Sequence, residues 1–260
     1  MRVVITGASS GIGEALALEY RRRDPQAVIG LIARREASLA RVASALGGPV
    51  HCLSADVGDR AALAEVAQRF VEAAGVPDVV IANAGISGGT RTGEPGDAEV
   101  FERIVQTNVM GLFDTFAAFL PLMRESRGAR LVGIASVAGV RGLPGAGGYS
   151  ASKAAAIAYL ESLRVELRGS GVRVVTIAPG FIRTPMTASN RYPMPFLTDV
   201  DVFAARACDA IAAGRSFVVI PWQMAWVARL LRVLPDSLFD RAFARAPRKA
   251  RAAPVSSEPR

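Results

Sequence analysis

Two kinds of segment alternate along the chain when it is read only for hydrophobic and polar positions. Short runs that stay apolar from one residue to the next, such as RVVIT, VIGLIA and VRVVTIA, recur between longer stretches of helical period. Runs of this length suit strands buried on both faces, and the 3.6-residue period suits helices that cover them. The pattern predicts strands near 2–6, 28–33, 49–54, 78–82, 130–135, 172–178 and 217–220. It predicts helices near 11–23, 35–46, 59–74, 97–125, 149–169 and 199–213. Right-handed crossovers wind such a chain into an α/β fold, a doubly wound parallel sheet of seven strands with helices on both faces. No internal repeat appears, and no linker interrupts the pattern before about residue 246, so a single domain over 1–245 is expected.

The pattern changes past residue 220. Residues 221–234, PWQMAWVARLLRVL, put Trp222, Trp226, Leu230 and Val233 on one helical face beside Arg229 and Arg232. The run is too short and too charged to span a bilayer. It predicts a C-terminal helical extension over 221–245, docked on the domain or a neighbouring subunit, or in peripheral contact with a membrane surface. Residues 246–260, APRKARAAPVSSEPR, combine three prolines with charge and no apolar period, which predicts a flexible basic tail.

Composition narrows the chemistry. His51 is the single histidine, and Cys52 and Cys208 lie far apart, so neither a zinc site nor a disulfide framework is expected and no metal is assigned. That inventory fits a reducing, cytoplasmic setting. The opening MRVVITG reaches a strand pattern within two residues, which leaves no room for a signal peptide. The net charge is +8, but eight basic and three acidic residues within 229–260 supply +5 of it. The excess is therefore local, and no nucleic-acid partner is expected.

Directly after the first strand comes TGASSGIG, residues 6–13, leading into a helix. A turn there aims free helix N–H groups and the positive end of the helix dipole at an anion. Gly7 allows the tight turn, and Gly11 and Gly13 keep side chains from blocking a pyrophosphate or separating helix from strand. At the end of the second strand, LIARRE has Ala33 where an acidic residue would hold a ribose 2′-hydroxyl, followed by Arg34 and Arg35. A guanidinium there can grip a 2′-phosphate, so NADP(H) is expected to be preferred over NAD(H).

Of the 31 basic residues only Lys153 and Lys249 are lysine. Lys153 closes YSASK, one helical turn after Tyr149. With it, the marks of a family stand in order: TGASSGIG at 6–13, ADV at 55–57, ANAG at 82–85, NVMG at 108–111, Ser136, YSASK at 149–153 and PG at 179–180. The chain resembles a short-chain dehydrogenase/reductase of the compact, single-domain type, with a Rossmann-type sheet, from the first strand to about residue 220.

That resemblance implies reversible hydride transfer between NADP(H) and a carbonyl/alcohol pair. Tyr149 would be the general acid for reduction and the base for oxidation, its phenol made more acidic by the Lys153 ammonium. Lys153 would also bind the nicotinamide ribose, Ser136 would hold the substrate oxygen, and Asn108 would support a water-linked proton path to the lysine. The implied cofactor contacts are Ser9, Ser10 and Ile12 in the glycine turn, Asp56 and Val57 beside the adenine, and Asn83, Ala84 and Gly85 along the cleft. Pro179, Gly180, Ile182 and Thr184 would shape the nicotinamide end. The resemblance also implies a homodimer or homotetramer built on the helices 110–125 and 149–169.

In this family the segment after PG folds over the substrate. Here 181–200 carries Phe181, Met186, Tyr192, Met194, Phe196 and Leu197, which predicts an apolar lid and a hydrophobic carbonyl substrate. The glycine-rich VRGLPGAGG at 140–148 would form the opposite wall. A 3-oxoacyl-(acyl-carrier-protein) reductase is the nearest alternative. A sugar-nucleotide epimerase or dehydratase would carry G-x-x-G-x-x-G, which GASSGIG does not match. A non-catalytic NADPH-binding regulator would have no chemical need for Asn108, Ser136, Tyr149 and Lys153 together.

Overall fold

The structure, a computed structural model, describes residues 1–188, 190 and 192–251. Seven strands, β1 (Arg2–Thr6), β2 (Val28–Ala33), β3 (Val50–Ser54), β4 (Val79–Ala82), β5 (Arg130–Ile134), β6 (Arg173–Pro179) and β7 (Phe217–Ile220), form one sheet. Every pairing is parallel, and the order is β3-β2-β1-β4-β5-β6-β7. Successive residues of a strand face opposite sides, so Val3 and Ile5 enter one core and Val4 the other.

Each core has its own helices. Helices α1 (Gly11–Arg23), α2 (Glu36–Leu46) and α8 (Val200–Ala212) cover the Val3 side through Leu16, Leu39 and Phe203, and the short α7 (Pro185–Ala188) precedes α8. On the Val4 side lie α3 (Arg60–Ala74), α5 (Gly111–Met123) and α6 (Gly147–Glu166), through Phe70, Phe116 and Leu160. Both faces of the sheet are buried, which is why its strands read as unbroken apolar runs.

Three segments depart from the sequence reading. The single helix expected over 97–125 is α4 (Asp97–Val105) and α5, joined by a π-turn at Gln106–Met110. Such a turn widens the helix by one residue, often beside a functional site; here it contains Asn108. The C-terminal extension is two helices, α9 (Trp222–Val233) and α10 (Asp236–Phe243), broken at Pro235. Met224 and Ala228 bury α9 against the domain, whereas Trp222, Trp226, Leu230 and Val233 stay more than three-fifths exposed. The apolar stripe therefore does not dock on its own domain.

Arg141 fixes the extension to the 140–148 segment. Its guanidinium donates to the carbonyls of Leu231 and Leu234, pairs with Asp236 at 2.6 Å and lies 4.0 Å from the Phe239 ring centroid.

The third departure concerns the tail. Residues 248–251 lie against the domain: Ala250 accepts from Gly89 N–H at 3.0 Å, and Arg251 pairs with Asp97 and Glu94. These long-range contacts override a composition that by itself predicts disorder. The rest of the expected tail, 252–260, lies outside the described residues.

Candidate active site

The chain leaves β1 and β4 in opposite directions along the sheet, and their carboxyl ends lie side by side. Open α/β sheets bind ligands at this switch point, and a cleft opens there. At one end, Gly7 (φ 65°) and Gly11 (φ 59°) adopt left-handed backbone that a side chain would strain. Ser10, extended just before α1, makes no side-chain cap, so its hydroxyl satisfies none of the first-turn N–H groups. Gly13 packs behind the turn, where a Cβ would strike the Gly7 carbonyl and approach Asn83 Nδ2 to 2.7 Å. An anion-binding turn needs this cradle, and a dinucleotide fits it.

Thr6 ties the two strand ends together. Its Oγ1 accepts from the N–H groups of Asn83 and Ala84, both at 3.1 Å. Asn83 Nδ2 returns hydrogen bonds to the carbonyls of Thr6 (2.9 Å) and Gly7 (3.2 Å). The backbone of 83–85 is thereby held along the cleft wall. Beside it Asp56 Oδ1 accepts from Gly58 N–H at 2.9 Å, which shapes the loop after β3. Arg34 stands 3.7 Å from Asp56, with both side chains at least half exposed, so that pair is weak and the guanidinium is accessible. Arg35 has no carboxylate within 4.0 Å among the described residues.

At the other end, α6 brings Tyr149 and Lys153 onto one face. Lys153 is 4% exposed; its Nζ donates to the Ile134 carbonyl at 2.8 Å and stands 5.9 Å from the Tyr149 ring centroid. Burial pulls its pKa down to about 8. Ser136 Oγ accepts from Ala138 N–H at 3.1 Å, which leaves its own proton free to donate. The phenol differs from expectation. Burial pushes the Tyr149 pKa above the ordinary phenol value; the Ser136 hydroxyl works against this rise, and Tyr192 adds to it. Desolvation is the largest of these influences, and it favours the protonated phenol. A phenol in that state is suited to donate a proton.

Asn108 is buried behind the cleft. Its Oδ1 accepts from Ile86 N–H (2.8 Å), and its Nδ2 donates to the Ile86 carbonyl (3.0 Å) and to Ser152 Oγ (2.9 Å). Ser152 in turn donates to the Tyr149 carbonyl at 2.8 Å. Asn108 thus links the loop after β4 to the turn of α6 that carries Tyr149. Gly85 is small because a Cβ there would lie 3.3 Å from Asn108 Oδ1 and 3.6 Å from Lys153 Nζ.

The other expected contacts, Ser9, Ser10, Ile12, Val57, Ala84, Pro179, Gly180, Ile182 and Thr184, line the same cleft, whereas Gly13 and Asn108 do not. Thr184 reaches back across it, 3.5 Å from where a Gly11 Cβ would stand, and its N–H donates to Thr187 Oγ1 at 3.1 Å. Of the apolar lid, Met186 and Phe196 are exposed and Phe181 lies 6.2 Å from Tyr192, ring to ring; Ser189 and Arg191 lie outside the described residues.

Sequence reading missed Thr6, Ser152 and Lys249. Thr6 precedes the glycine turn and Ser152 sits inside YSASK, but their roles are tertiary. Lys249 carried a signal: it is the other lysine, and its Nζ lies 5.8 Å from the Tyr149 ring centroid.

The family described as short chain dehydrogenase matches residues 1–194. An uncharacterized oxidoreductase of Myxococcus xanthus (strain DK1622) is 42% identical over 243 residues, covering 93% of this chain and 96% of the relative. A 3-ketoacyl-(acyl-carrier-protein) reductase from Brucella melitensis, solved with NADH, is 25% identical with a TM-score of 0.77, covering 84% of this chain and 96% of that one. An alcohol dehydrogenase from the archaeon Thermococcus sibiricus, solved with 5-hydroxy-NADP, is 28% identical with a TM-score of 0.74, covering 84% and 95%.

Proposed function

The chain belongs to the short-chain dehydrogenase/reductase family and is an NAD(P)-dependent oxidoreductase acting on CH–OH donors; from that premise we propose a cytoplasmic, NADP(H)-preferring carbonyl reductase with a hydrophobic substrate. The observation that supports this reading is the convergence of Ser136, Tyr149 and Lys153 at one end of a cleft whose other end is an uncapped glycine turn. The glycine turn would hold the pyrophosphate, Arg34 and Arg35 the 2′-phosphate, and Lys153 the nicotinamide ribose. When bound, the nicotinamide supplies or accepts the hydride.

The chain's own residues manage the oxygen and the proton. Ser136 donates to the substrate oxygen, where negative charge develops as a carbonyl is reduced. Tyr149 gives that oxygen its proton, and Lys153 contributes a nearby positive charge. The exposed lid residues supply apolar contact. The exposed Phe113, tilted against Tyr159 at 5.6 Å, and the exposed Val165 lie on α5 and α6 and suit a homo-oligomeric contact.

Because Tyr149 stays protonated and Lys153 keeps its charge only below about 8, both required states coexist at neutral pH. Consumption of NADPH is to be followed across a panel of aromatic ketones, steroids, lipid-like ketones and 3-oxoacyl thioesters, with NADH in parallel. Apolar ketones and NADPH are expected to give the highest rates. For the best substrate, kcat/KM for NADPH reports the free enzyme; it should be level through neutral pH and fall as pH rises past about 8. A preference for the 3-oxoacyl thioester would favour the carrier-protein reductase reading. A rate that climbs through that pH would remove the proton assignment.

The outward stripe of α9 is proposed as a peripheral membrane contact. Trp222, Trp226, Leu230 and Val233 share one face, and the Arg229 guanidinium lies 5.2 Å from the Trp226 ring centroid. Apolar and cationic groups together suit an anionic lipid surface. The protein should sediment with phosphatidylserine-containing vesicles and lose this in Trp222→Ala/Trp226→Ala; equal sedimentation of the two proteins would discard the contact.

A further inference from the structure

The two lysines of this arginine-rich chain, nearly a hundred residues apart in sequence, flank the same ring. Lys153 Nζ stands 5.9 Å and Lys249 Nζ 5.8 Å from the Tyr149 ring centroid. Lys153 is accounted for by the reading above. Lys249 comes from residues 248–251, a strap packed against Ser87, Gly89 and Gly145 beside the Tyr149 ring.

The strap is built in. A Cβ at Gly89 would come within 2.5 Å of the carbonyl oxygens of Lys249 and Ala250, and one at Gly145 within 2.8 Å of Arg248 Cβ. Two glycines thus make room for it, one on each side. Gly89 N–H donates to the Ala250 carbonyl at 3.0 Å, and Thr90 N–H donates to the Gly145 carbonyl at 3.2 Å, joining the two flanking loops. Arg251 anchors the end: its guanidinium pairs with Asp97 at 3.0 Å and Glu94 at 3.3 Å and donates to the Pro95 carbonyl at 3.0 Å.

The two cations of the strap are treated differently. Arg251 meets two carboxylates, as a structural cation does. Lys249 donates to Ser87 Oγ at 2.7 Å and has no carboxylate within 4.0 Å among the described residues. An ammonium has three protons to donate, and this one is half-buried beside the reacting tyrosine. A cation held there without a counter-charge favours a ligand that brings one.

We propose that Lys249 is a substrate-recognition residue: its ammonium, set 5.8 Å from the Tyr149 ring centroid by the strap, binds an anionic oxygen group, carboxylate or phosphate, carried by the carbonyl substrate a few bonds from its reacting carbon. The inference rests on Tyr149 as the proton donor. It refines the substrate to an amphiphile, with its apolar body against the lid and its anion against Lys249.

Matched probes test it: benzoylformate against methyl benzoylformate, benzoylacetate against ethyl benzoylacetate, and dihydroxyacetone phosphate against dihydroxyacetone, each with NADPH and the full-length protein. The wild-type protein should favour the anionic member of at least one pair, and which pair responds separates carboxylate from phosphate. In Lys249→Met the acid-to-ester or phosphate-to-alcohol ratio of kcat/KM should fall by about 10- to 100-fold, the range for hydrogen bonds to a charged group. Lys249→Arg should recover part of the ratio, and Arg251→Ala should lower it by releasing the strap.

Equal loss for both members of every pair, or a wild-type protein indifferent to the anion, overturns the inference while leaving the oxidoreductase reading intact. If no probe consumes NADPH, that reading fails in these assays. Fluorescence titration of benzoate against benzamide on the NADPH complex then decides the inference separately. Benzoate should bind about 10-fold tighter than benzamide, an advantage lost in Lys249→Met; equal binding overturns it.

Discussion

Tyr149→Phe is expected to lower kcat for carbonyl reduction by about 100- to 10,000-fold, the usual contribution of a positioned proton donor. The substitution keeps the ring and removes one oxygen. The helix contacts around it depend on other atoms: Ser152 bonds the Tyr149 carbonyl, and Lys153 bonds the Ile134 carbonyl at 2.8 Å. The fold and the cofactor end of the cleft should therefore be unchanged, with NADPH affinity within about threefold of wild type and the whole loss in the rate. Steady-state kinetics with a parallel fluorescence titration of NADPH separates the two quantities. A variant retaining more than about a tenth of wild-type turnover would move the proton role elsewhere. The first place to look would be Tyr192, whose phenol is close enough to push the Tyr149 pKa upward. Ser136→Ala is a useful companion, since it removes the proposed donor to the substrate oxygen but leaves the Tyr149 proton in place.

What could be read from the sequence follows from the range of each interaction. The strands were accessible because burial on both faces imposes a local pattern; β2 and β7 occupy the expected 28–33 and 217–220. The glycine turn and the Tyr149–Lys153 pair were also accessible, since each is fixed by spacing within one turn or one helix. The π-turn at Gln106–Met110 was not, because Asn108 is placed by hydrogen bonds to Ile86 and Ser152 rather than by its neighbours in the chain. The same holds for the strap: nothing near Arg251 in sequence announces Asp97, 154 residues away. Composition pointed to disorder, and a few distant ion pairs outweighed it.

The acidity of the Tyr149 phenol differs from the expected direction for a related reason. Sequence shows the cation one turn away, but not how much water each group loses on folding. Burial raises the phenol and lowers the ammonium, in each case favouring the neutral form. The consequence is directional. A neutral phenol serves reduction at neutral pH, whereas oxidation must first strip its proton, so oxidation should become competitive only in alkaline solution.

Cofactor choice gives the second large effect. Arg34 and Arg35 follow β2 and line the cleft, and no carboxylate occupies position 33. The partner of Arg34 is Asp56 at 3.7 Å, in an exposed and therefore weak pair. Removing Arg34 does more than delete a cation, because it leaves the Asp56 carboxylate, its partner at 3.7 Å, uncompensated. Arg34→Ala/Arg35→Ala should therefore weaken NADPH binding by about 100-fold, from two charge-assisted contacts of about 1.5 kcal/mol each, and leave NADH within about threefold. Adding Ala33→Asp supplies a carboxylate for the ribose 2′-hydroxyl and should carry the preference over to NADH. Titration of each dinucleotide against the three proteins reads the result, and high salt should shrink the proposed preference of the wild-type protein for NADPH, as it must for exposed charges. Should the double variant keep its preference for NADPH, the 2′-phosphate is held by other groups, and Arg41, which pairs with Glu14 and donates to the Ser9 carbonyl at 3.0 Å beside the glycine turn, is the next cation to replace.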